Sequence, residues 1–193
     1  PDKAVEESKE RVPSGLKNTN ATLPAQRITV NLAPGDLHKE GPSFDLPIAV
    51  SILIATGQLK ADVSKSMFLG ELSLDGSTRH TKGVLPMLLL AREIGMESLF
   101  IPSENKGEAG IVDGLTIYPV NSLKEVYFHL IGDKLLTPLE HTPYESLEDD
   151  FVHDVDLRDI RGQEYVKRAI EVAVAGGHNI LLKGPPGAGK TLI

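Results

Sequence analysis

The sequence HNILLKGPPGAGKT, from His178 to Thr191, is the most informative stretch for the fold of the last part of this chain. A short apolar run enters a glycine-rich loop, and the loop ends in a lysine and a threonine. Glycines let backbone N–H groups close around phosphate oxygens, and the lysine ammonium adds a point charge. The stretch therefore predicts a β-strand over His178–Gly184, followed by a phosphate-binding loop.

The loop predicts a role for each of its residues. We expect Lys190 to contact the β and γ phosphates of a nucleoside triphosphate and the Thr191 hydroxyl to ligate Mg²⁺. The residues expected to surround the phosphates are Gly184, Pro185, Pro186, Gly187, Ala188, Gly189, Lys190 and Thr191. The alternative is a glycine-rich turn that binds nothing, but chance matches this pattern in fewer than about one in a hundred chains of this length.

Few residues follow the loop in this sequence. Phosphate binding uses the N-terminal end of the next helix, and only Lys190–Ile193 remain for it. A helix of fewer than about 12 residues is marginal alone. We therefore expect residues 1–193 to bind ATP poorly and to be inactive by themselves, and a longer chain to bind it well.

Composition narrows the class of protein. A hydrophobic content of 40% with 24% charged residues is typical of a globular protein, and no apolar run reaches the roughly 18 residues of a membrane helix. The absence of cysteine excludes disulfides and thiolate chemistry and is compatible with the cytoplasm. A net charge of -7 argues against a broad basic face for nucleic acid. The histidines show no metal-binding spacing; they are His38, His80, His129, His141, His153 and His178.

Helical and strand-like patterns alternate along the chain, which predicts an α/β fold. The expected helices are Pro1–Asn20 kinked or interrupted at Pro13, Phe44–Gly57, Val84–Gly95, Glu104–Val112, Ser122–Gly132 and Gln163–Ala175. The expected strands are Arg27–Pro34, Ser98–Pro102 and Leu115–Val120, with a hairpin turn at Asp75–Gly76. Prolines and excess acidic residues over 133–156 predict a linker between a first domain, residues 1–132, and a second, residues 157–193.

Several longer motifs occur in order: RITVNLAP, KEGPSFDLPIA, FLGELSLDG, GVLP, IPSEN and GQEYVKRAIEVAVAGGHNILLKGPPGAGKT. With them the chain resembles the magnesium-chelatase-like AAA+ ATPases of the ComM/YifB type over essentially all its residues. The resemblance implies a Lon-protease-like α/β domain, followed by the first strand and P-loop of an AAA+ module. It implies ATP and Mg²⁺ as cofactors. RGQE, Arg161–Glu164, resembles the segment that lies beside the adenine in AAA+ proteins, which implies Ile160 and Gly162 as contacts to the base, although Ile160 is equally explained as a core residue.

The resemblance to Lon also raises a peptidase hypothesis. KEGPSFDLPIA resembles the Lon segment that carries the nucleophilic serine, which places Ser43 at that position. The base position, by resemblance to the Lon GGLK turn, is Leu85 in TKGVLPMLLLA. Leucine cannot relay a proton, and Lys82 lies three residues earlier, so we assign no catalytic residue and interpret Ser43 as a helix-start residue. Asp45 replaces the second glycine of the Lon segment.

The resemblance implies a cytoplasmic ATPase that forms a homo-oligomeric ring, a hexamer, and acts on DNA in branch migration during recombination or competence. DNA would be bound through regions outside this sequence, and no membrane is expected. A second hypothesis is metal insertion into a tetrapyrrole, as in magnesium chelatase, whose motor subunits generally start with the AAA+ module. A third is the Lon-like peptidase. A fourth is that the first domain serves only as a platform for assembly.

Overall fold

The structure is a computed structural model that describes residues 3–19, 21–25, 27–33, 36, 39, 41–143 and 156–190. The chain divides into two compact units, residues 1–147 and 148–193. The helices of the first unit are α1 (Lys3–Asn18), α2 (Asp45–Ala55), α3 (Val84–Glu93), α4 (Lys106–Ala109) and α5 (Leu123–Leu130). Its strands are β1 (Ser66–Phe68), β2 (Glu71–Leu72), β3 (Thr78–Arg79), β4 (Ser98–Pro102) and β5 (Thr116–Val120). The predicted α/β class is confirmed.

A parallel sheet in the order β1-β4-β5 forms the centre of the first unit. Phe68 is paired with Phe100, and Phe100 with Tyr118, so three aromatic rings fall at the same position of adjacent strands. Their centroids are 4.8 and 5.1 Å apart with nearly parallel planes. This stack fixes the register of the sheet, because a slip of one residue would turn every ring to the other face.

Strand β4 lies between two apolar layers. Phe100 points to the core built with α1, α2 and α5, whereas Leu99 and Ile101 point to the core built with α3. All three side chains are at most 1% exposed. Successive residues of a strand face opposite sides of the sheet, so the apolar run SLFIP matches a strand that is covered on both faces.

Glycines end the two long apolar helices of this unit, as the sequence predicts. After α2, Gly57 has φ 70°. Its N–H donates to Ile54 O at 3.0 Å, and Gln58 N–H donates to Leu53 O at 3.0 Å. This pattern is the Schellman motif, which satisfies carbonyls that the last turn leaves free. Gly95 has φ 77° after α3.

The predicted hairpin forms between β2 and β3. Asp75 accepts hydrogen bonds from the backbone and hydroxyl of Ser77, and these bonds hold the pKa of Asp75 below its usual value. Gly76 has φ 85° and packs against α1, where a Cβ would come within 3.2 Å of Gly15 O. The turn thus needs glycine twice, once for its backbone conformation and once for the close approach.

The alternative of an interruption at Pro13 and the strand predicted after α1 are both wrong. Helix α1 runs through Pro13 without interruption, because Val12 and Leu16 are buried on both sides of it and packing holds the helix together. Arg27–Pro34 is not a strand over its described residues 27–33. Ile28 and Val30 are 42% and 48% exposed, and no backbone hydrogen bond joins residues 27–33 to another described residue.

The segment after α5 lies on the first unit, although the sequence predicts that a linker begins at Asp133. Leu136 and Leu139 pack against the two cores. Leu139 N–H donates to Ile117 O at 2.7 Å, and Thr142 N–H donates to Gly110 O at 2.8 Å. Residues 144–155 of the predicted linker lie outside the described residues. The predicted helix over Glu104–Val112 is shorter, a 3₁₀ turn followed by α4.

The described residues of the second unit form a 3₁₀ turn, Leu157–Asp159, and a helix, α6 (Glu164–Ala175). The strand predicted over His178–Gly184 does not form, and these residues have no regular secondary structure. A strand needs a neighbour to pair with, and Leu181 is 90% exposed. Across the residues that the structure describes, no helix is long and apolar enough to cross a bilayer.

Candidate functional site

The described part of the glycine-rich loop runs from Gly184 to Lys190. Gly187 and Gly189 have φ of 79° and 77°, in the left-handed region that glycine adopts without strain. A Cβ at either position would meet nothing within 4 Å. Backbone conformation therefore requires these two glycines, and the space beside them is open to a ligand.

The Lys190 ammonium folds back over the start of the loop. Its Nζ donates to Gly184 O at 2.9 Å and to Pro185 O at 2.7 Å. Ala188 N–H also donates to Pro185 O, at 3.3 Å, which closes the turn. A cation on an open, glycine-rich turn without bulky side chains fits an anionic phosphate group. The residues present thus fit the triphosphate that the motif predicts.

The predicted Mg²⁺ ligand, Thr191, lies outside the described residues. The part of the chain that the structure describes holds no group of three His, Asp or Glu side chains that could bind a metal ion. The metal assignment stays a prediction.

The predicted adenine contacts lie in the same unit as the loop. Ile160 is half-buried directly after the 3₁₀ turn, which Asp156 and Asp159 close with a reciprocal capping box. Gly162 and Gln163 both have left-handed backbones, with φ of 72° and 58°. Among the described residues, no hydrogen bond joins 157–163 to 184–190. The adenine contacts also stay a prediction.

Ser43 lies at the start of α2, in a 3₁₀ turn, Pro42–Phe44. Its position agrees with a helix-start residue, although the N-cap residues of the 3₁₀ turn and of α2 are Gly41 and Phe44. It lines a cleft of about 420 Å³ together with Lys82 and Met87. Leu85, at the predicted base position, packs against the α3 core. The described hydrogen bonds include none between the Ser43 hydroxyl and Lys82, and the peptidase hypothesis stays untested.

Asp45, two residues further, is completely buried. Its carboxylate accepts from the Ser8 hydroxyl, from Arg11 Nε at 2.6 Å and from Leu72 N–H at 3.0 Å. The hydrogen bond to Asp45 raises the pKa of Arg11 above its ordinary value. Every buried carboxylate needs such partners. This one ties α1, α2 and the hairpin together.

Asn105, at the end of IPSEN, holds the loop that leads to Lys82. Its Oδ1 accepts from Thr81 N–H at 3.0 Å, and its Nδ2 donates to Thr81 O at 2.8 Å and to Glu108 Oε1 at 2.6 Å. Glu104 accepts from His80 N–H at 3.0 Å. Two motifs far apart in sequence thus fix one wall of the Ser43 cleft.

Sequence reasoning missed the roles of Asp45 and Asn105. A signal for Asp45 was available, since a single acidic residue opens an otherwise apolar helix, DLPIAVSILIA. Its partners, Ser8 and Arg11, could not be identified, because they are 37 and 34 residues away.

Two family models match the chain. The model described as subunit ChlI of Mg-chelatase matches residues 1–105, and the model described as Magnesium chelatase, subunit ChlI, matches residues 156–193. The matches cover most of the first unit and the whole described part of the second.

Some relatives among curated proteins match the whole chain, and others match part of it. Competence protein ComM of Haemophilus influenzae is 44% identical over 195 residues, and the uncharacterized protein YifB of Escherichia coli is 38% identical over 194 residues. The alignments cover 100% of this chain but only 38% and 37% of those relatives. Lon protease 2 of Bacillus subtilis is 30% identical over 113 residues, which are 58% of this chain and 20% of that protein. The chain thus spans well under half the length of the relatives it matches.

Proposed function

The chain belongs to the family described as subunit ChlI of Mg-chelatase, and from this premise we propose that it is part of an ATP-driven motor of the ComM/YifB type. The first unit is a Lon-like α/β domain and the second is the start of an AAA+ module. The motor would be a cytoplasmic homo-oligomeric ring, a hexamer, acting on DNA. The name of the ComM relative, a competence protein, supports a role with incoming DNA.

The observation that carries the proposal is the loop Gly184–Lys190. Two glycines with left-handed backbones and a lysine ammonium above the turn form the cradle that a triphosphate needs. Mg²⁺-ATP, when bound, supplies the hydrolysable phosphoanhydride bond that drives a motor. The chain's own contribution is to bind and orient the phosphates.

Lys190 has a distinct task in this scheme. Its ammonium is bonded to two backbone carbonyls, Gly184 O and Pro185 O, and it can exchange these neutral acceptors for anionic phosphate oxygens. Hydrogen bonds between two charged groups are roughly twice as strong as those with a neutral partner. Thr191 would hold Mg²⁺, and Ile160 and Gly162 would contact the adenine.

The test is ATP hydrolysis by the whole protein that contains this chain. We expect Lys190→Ala to abolish nucleotide binding and hydrolysis. Lys183→Ala is the matched control, because Lys183 is an exposed lysine just before the loop and should leave activity unchanged. Equal activity of the wild type and Lys190→Ala would overturn the ATPase proposal.

The action on DNA requires its own experiment. We expect branched DNA to stimulate ATP hydrolysis and the protein to move the branch point in an ATP-dependent assay. Hydrolysis that DNA does not stimulate, together with no branch migration, would remove the DNA part of the proposal and leave the ATPase part standing.

A chelatase motor is the second candidate, because both family models carry that description. It predicts that ATP hydrolysis supports metal insertion into a tetrapyrrole when partner subunits are present. The Lon-like domain before the loop favours the ComM/YifB-type motor, because those relatives align with both units of this chain.

A further inference from the structure

Residues 135–142, which we call the strap, follow α5 in the chain and lie on the first unit. Three backbone donors hold the strap: Leu136 N–H to His129 Nδ1 at 2.9 Å, Leu139 N–H to Ile117 O at 2.7 Å and Thr142 N–H to Gly110 O at 2.8 Å. The anchors recur every third residue. A period of three is that of an extended polyproline-type segment, and Pro138 lies within it.

The first anchor differs from the other two because its acceptor can be protonated. A neutral imidazole carries one proton, and the hydrogen bond from Leu136 N–H places the lone pair on Nδ1. His129 is therefore neutral in this arrangement, with its proton on Nε2. An imidazolium has two N–H donors and no acceptor, so it cannot hold the strap.

The surroundings of the ring favour the neutral form. His129 contacts Phe100 at 5.4 Å and Tyr118 at 4.4 Å between ring centroids. Burial lowers the pKa of His129 below its ordinary value. Desolvation of this kind disfavours the charged form.

The neighbouring elements present few charges to the ring. From β5 the titratable group is the Tyr118 phenol, from β4 the neighbour is the neutral Phe100, and on α5 the carboxylate one turn earlier, Glu125, is engaged by Asn121. Helix α2 carries a single titratable group, Asp45, which Arg11 binds. On the strap side, Asp133 and Lys134 are exposed, and their backbone N–H groups donate to Phe128 O.

We propose that the strap carries a pH-sensitive fastening: protonation of His129 breaks the hydrogen bond from Leu136 N–H and frees the first residues of the strap, while the anchors at Leu139 and Thr142 stay. A released histidine titrates near its ordinary value of about 6.5, and the docked one titrates lower. The first anchor is therefore complete above about pH 6.5 and weakens as pH falls below that value, by at most about tenfold per pH unit.

Amide hydrogen exchange on the 193-residue chain tests the proposal. After correction for intrinsic rates, we expect protection of the Leu136 amide to fall by up to about tenfold between pH 7.5 and 5.5. Protection of the Val126 amide, inside α5, should stay constant. An NMR titration of the His129 ring should show a midpoint below about 6.5.

Two substitutions separate titration from packing. His129→Asn keeps an acceptor where Nδ1 lies but cannot titrate in this range, so protection of Leu136 should become independent of pH. His141→Asn is the control, because His141 is exposed on the strap itself and its loss should leave the wild-type pH dependence.

Constant protection of Leu136 in the wild type between pH 7.5 and 5.5 would overturn the proposal. So would an unchanged pH dependence in His129→Asn. If that variant does not fold, the wild-type exchange and the ring titration decide the question by themselves. Neither readout depends on ATP, so the proposal stands or fails separately from the motor function.

Discussion

At the scale of single residues, Asp45 shows what the segment KEGPSFDLPIA contributes to the fold of this domain. The carboxylate is completely buried and engages Arg11, Ser8 and the Leu72 backbone. The segment holds three elements together through Asp45, and Ser43, two residues before it, lines the cleft that Lys82 also lines.

Replacement of Asp45 should be severe. Asp45→Asn leaves the Arg11 guanidinium without its buried counter-charge, and loss of one partner of a buried pair costs about 3–5 kcal/mol. Urea denaturation of the 193-residue chain measures the change. Glu7→Gln is the matched control, since Glu7 is the exposed partner of the same arginine, with a side chain 69% exposed, and should cost under about 0.5 kcal/mol. A loss below about 1 kcal/mol for Asp45→Asn would contradict the role assigned here.

Asn105 permits a second test at this scale. Asn105→Ala removes three hydrogen bonds and leaves the Thr81 N–H and C=O buried without partners, so we expect a loss of roughly 2–3 kcal/mol. Asn31→Ala, at an exposed asparagine, should change stability little. Thermal unfolding compares the two variants. Similar melting temperatures would show that the hydrogen bonds between Asn105 and Thr81 do not contribute to stability.

At the scale of elements, the sequence predicted correctly the helix ends and the turn that are determined by single residues. Gly57, Gly95 and the Asp75–Gly76 turn lie where the sequence predicts, because left-handed backbone conformations are expressed by single residues. Predictions that depend on distant partners were wrong. Arg27–Pro34 and His178–Gly184 have strand-like sequences, yet their described residues form no strand. Pro13 lies within a continuous α1, since tertiary packing outweighs the local penalty of proline.

Gly57, which follows α2, and Gly76, in the hairpin turn, both have left-handed backbones. They should nevertheless respond differently to replacement by alanine. Gly57→Ala meets only backbone strain, because no atom lies within 4 Å of the new Cβ, whereas at Gly76 the Cβ would lie 3.2 Å from Gly15 O. We expect about 1 kcal/mol for Gly57→Ala and at least about 1 kcal/mol more for Gly76→Ala. Denaturant titration of both variants gives the difference. Equal losses would mean that α1 and the hairpin move apart without cost.

At the scale of the whole molecule, the two units should respond separately to a change in the loop. Lys190→Ala in the whole protein should remove stabilisation by nucleotide, which at about 100 times the dissociation constant amounts to about 2.7 kcal/mol. The first unit should unfold at an unchanged temperature, because within the described residues the hydrogen bonds of the Lys190 ammonium go to Gly184 O and Pro185 O in its own loop. Thermal unfolding with and without ATP tests both statements, with Lys183→Ala as the control. A lower unfolding temperature of the first unit in Lys190→Ala would contradict their independence.

The aromatic stack across β1, β4 and β5 gives experimenters a built-in optical reporter. The chain contains no tryptophan, so its near-ultraviolet circular dichroism comes from tyrosine and phenylalanine. Tyr118 is held rigidly between Phe100 and His129, whereas Tyr165 is 90% exposed. The tyrosine band should therefore report unfolding of the sheet in the first unit and change little when the second unit unfolds. No dye or inserted fluorophore is needed.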